Sequence, residues 1–228
     1  MSIYVQITSR CNMTCAHCCF ACGLRGHNMT RETFHKAIAL AVEYSQHICL
    51  GGGEPTLHPL FKEFLQYAQW ELTKVSQDNG SPAVGLVTNG TNTEIALKIA
   101  YLSKLGLIWS DLSTDQYHDS SMVDPKGCKA FEPELDLSGF HRENDHRNIR
   151  HNCYSVIATG RAKSWGNRQI CCCDSLFITP LGNVFACGCK TKKLGNVNDS
   201  DLTLHYGDFQ NLCPKYQKEE YVRRNELI

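Results

Sequence analysis

The chain carries no excess of either charge: Lys and Arg together number 23, and so do Asp and Glu. That balance excludes a global pull toward nucleic acid or an anionic membrane. No stretch approaches the roughly 18 consecutive apolar residues of a membrane span. The opening Met1-Ser2-Ile3-Tyr4-Val5 lacks the charged stretch and apolar run of a secretion signal. Low-complexity tracts are absent too, as are repeats beyond an alternation of strand and helix patterns. The expectation is a soluble, cytoplasmic protein without nucleic-acid or membrane partners, and 228 residues suffice to bury a real core.

Cysteine, by contrast, is abundant, with 14 residues. Thiols stay reduced in the cytosol, so metal or cluster ligation accounts for them better than a disulfide framework. They bunch at positions 11, 15, 18, 19 and 22 and again at 171, 172, 173, 187 and 189, with Cys49, Cys128, Cys153 and Cys213 scattered. Two bunches predict two metal sites.

The periodicity predicts alternating strands and helices. Ile3 to Thr8 alternates as a strand and delivers the chain into the first cysteines. A helix follows from an N-cap at Thr30, with Phe34, Ala37, Ile38 and Ala41 on one face. His47 to Leu50 reads as a second strand, with a helix from Pro59. Val84 to Thr88 is a third strand, with a helix over 93–105, and Leu107 to Ser113 a fourth. Connections this long build a parallel sheet, with functional loops at the C-terminal ends of the strands. Residues 119–150 read as an irregular surface excursion, and 154–157 as one more strand. Leu176 to Ala186 reads as a hairpin bracketed by cysteines.

Cys11, Cys15 and Cys18 are spaced Cys-x-x-x-Cys-x-x-Cys. Three thiolates this close hold three corners of a four-iron cluster and leave one iron open for chemistry, whereas a fully thiolated cluster only carries electrons. A structural zinc or ordinary cluster site using Cys15/Cys18 and Cys19/Cys22 is the competing reading. After the second strand come Gly51-Gly52-Gly53-Glu54-Pro55, where glycines permit close backbone approach and a carboxylate can accept hydrogen bonds from an ammonium group. At the end of the fourth strand, Asp115, Tyr117 and His118 place an acid, a phenol and an imidazole as candidate catalytic groups.

The run Cys11 to Cys18, with the ring-bearing His17 ahead of the third cysteine, resembles the signature loop of the radical S-adenosylmethionine (radical SAM) superfamily. The Gly-Gly-Glu segment resembles that family's site for the amino group of S-adenosylmethionine, and this second match turns the reading away from zinc. The resemblance covers residues 3–117 well and 171–197 moderately. It implies a 4Fe-4S cluster on Cys11, Cys15 and Cys18, and S-adenosylmethionine held by Gly52, Gly53, Glu54, Thr88, Asn89 and Ser113. It also implies an external one-electron reductant of the flavodoxin or ferredoxin type.

The later cysteines resemble the auxiliary-cluster domains called twitch and SPASM. That likeness implies an auxiliary 4Fe-4S cluster on Cys172, Cys187, Cys189 and Cys213, with Cys171 and Cys173 as alternatives to Cys172, Cys128 and Cys153 as further candidates, and zinc or free thiols as the competing reading. Gly160-Arg161-Ala162 resembles a segment ahead of that domain; Arg161 reads as a surface arginine, with a fork able to grip a substrate carboxylate or phosphate as the alternative.

The expected fold is α/β, a partial (β/α) barrel with parallel strands over residues 1–160, lacking the family's fifth and sixth units. A small cysteine-rich β-hairpin domain follows over 161–228. The expected function is reductive cleavage of S-adenosylmethionine to a 5'-deoxyadenosyl radical that takes hydrogen from a ribosomally made peptide. A small carbohydrate, nucleoside or cofactor precursor is the alternative substrate, and a non-enzymatic iron-sulfur or zinc protein the rival class.

Overall fold

The computed structural model describes residues 2–45, 47–76, 81–134, 144–151, 159–164, 175–190 and 192–205. In β1 (Ser2–Thr8), alternation sorts the side chains. Ile3, Val5 and Ile7 are fully buried in the main core, whereas Tyr4 and Gln6 face the other way. Helix α1 (Arg31–Tyr44) starts where the Thr30 hydroxyl accepts from the Thr33 N–H. Its Phe34 stacks on Phe64 of α2 (Phe61–Thr73) at 3.9 Å between ring centroids. That helix begins two residues later than expected because a short 3-10 turn, Pro55–Leu57, intervenes and the His58 ring accepts the Leu60 N–H at 3.0 Å.

β2 (His47–Gly52), β3 (Val84–Thr88), α3 (Thr93–Lys104) and β4 (Trp109–Ser113) continue the alternation. The region expected to be irregular holds a fifth unit. Helix α4 (Pro125–Phe131) is capped by Asp124 and buries Phe131, and β5 (Arg147–Arg150) pairs in parallel with β4. The missing fifth strand is thus a correction. Its Arg-Asn-Ile-Arg sequence has one apolar residue and no periodic pattern, because it lies at the edge of the sheet. The strand expected at 154–157 lies outside the described residues.

β6 (Ser175–Ile178) and β7 (Asn183–Phe185) form the expected hairpin, turning at Gly182 with φ of 80°. β6 also pairs in parallel with β1, opposite Ile3 and Val5, so the hairpin extends the barrel's own sheet. An unforeseen β8 (Lys193–Asn196) closes the order β5-β4-β3-β2-β1-β6-β7-β8. Leu176, Ile178 and Val184 join the same core as the helices. No helix among the described residues is long and apolar enough to cross a membrane.

Candidate active site

The cysteine loop departs from the end of β1 and returns to it. Cys11 N–H donates to the Gly23 carbonyl at 3.0 Å, Ser9 N–H to His27 at 2.8 Å, and Met29 N–H to Ile7 at 2.8 Å. Within this closed excursion Cys11, Cys15, Cys18 and Cys22 pack together with Met13 and Val123. Burial pushes the Cys11 thiol up to about 11 and raises Cys15. Cys18 is held below the ordinary thiol range by hydrogen bonds from the Cys22 thiol and from the Cys22 and Phe20 N–H groups. Backbone donors aimed at a sulfur are what a cluster-bound thiolate requires.

The loop is clamped from outside by a residue whose role sequence reasoning missed. Arg161 donates from Nε to the Cys15 carbonyl at 2.8 Å and from a terminal nitrogen to the Cys22 carbonyl at 2.6 Å, while its N–H meets the Cys18 carbonyl at 3.1 Å. Arg161 is therefore neither the surface arginine it read as nor free to grip a carboxylate or phosphate: its fork is spent on the cysteine loop. Gly160, at φ of 58°, lets this clamp close: a Cβ there would stand 2.4 Å from the Cys19 carbonyl oxygen.

From the β2 side the glycine-glutamate segment presses on the same loop. Gly53 N–H donates to the Thr8 carbonyl at 2.9 Å, and Glu54 N–H to Arg10 at 2.8 Å. A Cβ on Gly52 would lie 2.3 Å from the Thr8 carbonyl oxygen, and one on Gly53 2.3 Å from that of Arg10. The close approach these glycines serve is thus first of all to the cysteine loop itself.

Glu54 is fully buried. Its Oε1 accepts from the Thr56 N–H at 3.1 Å, the Thr56 hydroxyl at 2.6 Å and the Thr88 hydroxyl at 2.8 Å, and its Oε2 accepts from the Asn89 N–H at 2.7 Å. Burial raises the carboxyl above its usual range against the pull of these donors. With one bond against three, Oε2 keeps acceptor capacity for an ammonium donor. Asn89 joins the segments, its amide donating to the Asn12 side chain at 3.0 Å and lying 3.9 Å from the Cys11 sulfur. Gly52 and Gly53 thus press on Thr8 to Cys11, Asn89 reaches Cys11, and Thr88 joins them through Glu54. Ser113, also buried, ends β4 nearby in the strand order.

Asp115 is buried after β4, and its Oδ1 accepts from His118 Nδ1 at 2.8 Å and the Tyr117 N–H at 3.1 Å. His17 of the cysteine loop completes this group. Its Nε2 lies 3.8 Å from Asp115 Oδ2, and its ring stacks on Tyr117 at 4.7 Å. Burial pulls the His17 imidazole below its usual range, and its Nδ1 is buried without a partner. The three expected catalytic groups therefore meet, and they do so against a residue of the cysteine loop.

The later cysteines are less complete. Cys187 is fully buried and Cys189 half-buried, both in the turn between β7 and β8, where Gly188 lies against Phe20 and Phe177. Cys172 and Cys213 lie outside the described residues.

Four gathered thiols and a buried carboxylate beside them stand at the ends of the parallel strands β1, β2 and β3, a donor set that can hold a metal cluster. A family model for the radical SAM superfamily matches residues 5–130, more than half of the chain, and the protein belongs to that superfamily. It is a radical SAM enzyme whose cofactors are a 4Fe-4S cluster and S-adenosylmethionine.

Several solved structures share its fold. BtrN in complex with AdoMet and 2-DOIA has a TM-score of 0.57 at 17% identity, covering 96% of this chain and 85% of that one. Native anSMEcpe with bound AdoMet has a TM-score of 0.57 at 16% identity, covering 95% and 82%. Streptococcus suis SuiB bound to precursor peptide SuiA has 0.52 at 12% identity, covering 95% and 65%. No curated protein matches the sequence.

Proposed function

We propose that Cys11, Cys15 and Cys18 hold the 4Fe-4S cluster and that the enzyme modifies or oxidises a carbon of a ribosomally made peptide. The observation that carries this is the convergence of Glu54 and Asn89 on the cysteine loop, with spare acceptor capacity at Glu54 Oε2. When bound, the cluster and S-adenosylmethionine supply one-electron cleavage of a sulfonium bond and a 5'-deoxyadenosyl radical able to take hydrogen from an unactivated carbon.

The chain's own residues position and protect. Glu54 would accept from the cofactor's amino group, with Gly52 and Gly53 leaving room for it, and Thr88, Asn89 and Ser113 line the adjoining strand ends. Asp115 holds the His118 Nδ1–H and so leaves His118 Nε2 as the acceptor able to take a proton from substrate, with Tyr117 beside it.

The peptide assignment is supported by relatives of the same fold. SuiB is bound to a precursor peptide, and anSMEcpe is bound to AdoMet and the Kp18Cys peptide. BtrN, with its small ligand 2-DOIA, supports a small-molecule substrate as the second reading. Residues 161–228 would carry the auxiliary cluster on Cys172, Cys187, Cys189 and Cys213, after the S-adenosylmethionine-binding residues of 1–160. The enzyme would draw its electron in the cytoplasm from a flavodoxin or ferredoxin.

The test is anaerobic reconstitution with iron and sulfide, then dithionite and S-adenosylmethionine, with 5'-deoxyadenosine measured by chromatography. Product from the wild type and none from Cys15→Ala is expected. A wild type with a full N-terminal cluster and no 5'-deoxyadenosine would overturn the assignment.

A further inference from the structure

We infer that residues 159–161 set the reduction potential of the cluster, with Arg161 as a positioning residue whose charge makes the cluster easier to reduce. The inference rests on the function proposed above, which puts the cluster on Cys11, Cys15 and Cys18.

Three consecutive residues engage four carbonyls of the cysteine loop. The Thr159 hydroxyl donates to the Cys19 carbonyl at 3.3 Å and the Arg161 N–H to that of Cys18 at 3.1 Å. The Arg161 side chain donates to the carbonyls of Cys15 and Cys22, at 2.8 and 2.6 Å. Gly160 lies so close to the loop that a Cβ there would stand 2.4 and 2.5 Å from the Cys19 and Cys18 carbonyl oxygens. Residues 15–22 are thus held from one side by a single short segment.

Fixing a carbonyl also fixes an N–H, because the two point in opposite directions from a planar trans peptide. The peptide joining Cys19 to Phe20 gives its carbonyl to Thr159 and its N–H to the Cys18 sulfur. Holding the oxygen outward therefore keeps the donor aimed at a ligand atom. Hydrogen bonds to the sulfurs and the local net charge are two of the factors that set the potential of an iron-sulfur cluster.

Arg161 supplies the charge. Its guanidinium is spent on neutral carbonyls, and among the described residues no carboxylate pairs with it. That uncompensated cation favours negative charge on the sulfurs of Cys15 and Cys18. Reduction adds one electron and no atom, so the reduced state is the more negative by one charge and gains more from the cation than the oxidised state does. The electron itself comes from the external reductant.

The test is a redox titration with dithionite and mediators on the full-length reconstituted enzyme, without S-adenosylmethionine, following the electron paramagnetic resonance of the reduced cluster. The signal to follow is the one missing from Cys15→Ala, which removes any contribution from a second cluster. Iron is measured for each protein. Arg161→Gln is expected to lower the ratio of reduced to oxidised cluster at a fixed potential about tenfold, a midpoint shift of about 59 mV to more negative values. Arg161→Lys keeps a cation without the planar fork and should shift the midpoint less than half as far. Thr159→Val keeps Arg161 and frees the Cys19 carbonyl, and should lower the ratio about threefold.

An iron-loaded Arg161→Gln enzyme with the wild-type midpoint, or a higher one, would overturn the inference. Equal shifts in Arg161→Gln and Arg161→Lys would overturn the assignment to charge. If Arg161→Gln takes up no iron, Thr159→Val decides: a shift to more negative values supports the clamp, and an unchanged midpoint overturns it. A Cys15→Ala enzyme that keeps the full wild-type signal would overturn the proposed function instead, because that signal would not belong to the N-terminal thiols.

Discussion

A buried carboxylate ringed by donors is fixed in both place and charge, and Glu54 is such a group. Replacing it with Gln puts an N–H₂ where an acceptor stood. Oε1 faces the Thr56 N–H and Oε2 the Asn89 N–H, so either orientation of the amide sets one backbone N–H against another donor. An unmet buried donor costs about 1–3 kcal/mol. Glu54→Gln is therefore expected to lower 5'-deoxyadenosine formation by about 10- to 100-fold on that energy scale, with iron content unchanged. Chromatographic product rates alongside iron analysis check both halves. The residue types at this site were legible in the sequence, since the cysteine spacing and the glycine-glutamate run are local. What the glycines touch was not, because Gly53 meets Arg10 across 43 positions of chain. Arg161 was illegible for a similar reason: its partners are backbone carbonyls of Cys15 and Cys22, which any residue offers.

At the scale of elements, β5 shows how a strand forms without an apolar pattern. Arg147 donates to both oxygens of Asp145, at 2.8 and 2.6 Å, and to the Ala130 carbonyl at 2.7 Å, tying the strand to α4. The pair is nearly inaccessible, at 7% and 2% side-chain exposure. Burial alone would raise the Asp145 carboxyl, but the Arg147 guanidinium and the N–H groups of Glu134 and Arg147 hold it down from 3.8 to about 2. A carboxyl depressed on folding contributes stability that is present above its unfolded value and lost as pH falls through the folded one. Urea unfolding followed by circular dichroism should therefore show a loss of stability between about pH 4 and pH 2. Arg147→Leu leaves Asp145 buried without its cation. It is expected to cost about 3 kcal/mol at neutral pH and to remove this acid-dependent component. Equal acid sensitivity in the two proteins would mean that the pair does not hold β5. A local charge pair and a bond to a backbone carbonyl have no apolar period, which is why the fifth unit escaped the sequence reading while the four apolar strands did not.

The whole molecule depends on a partnership that periodicity cannot express. Strand patterns reveal that β6 and β7 exist, but not that β6 lies against β1, some 170 residues earlier in the chain. That pairing places Leu176, Ile178 and Val184 in the core beneath the first helices. Full burial of one such side chain is worth about 1.5–3 kcal/mol, so losing the three removes about 5–9 kcal/mol. That sum is comparable to the entire stability of a typical domain. A chain ending at Ser164 would also leave β1 unpaired along the side that β6 covers, directly below the cysteine loop. It is expected to be recovered as aggregate, or as a species that binds a hydrophobic dye and retains no iron after reconstitution. A monomeric truncation that unfolds cooperatively and still takes up a cluster would show that the barrel stands without the hairpin. The expected failure would mean that the second cysteine group rides on a strand the first one needs, so that the two bunches are built on a single sheet and loss of either element reaches both.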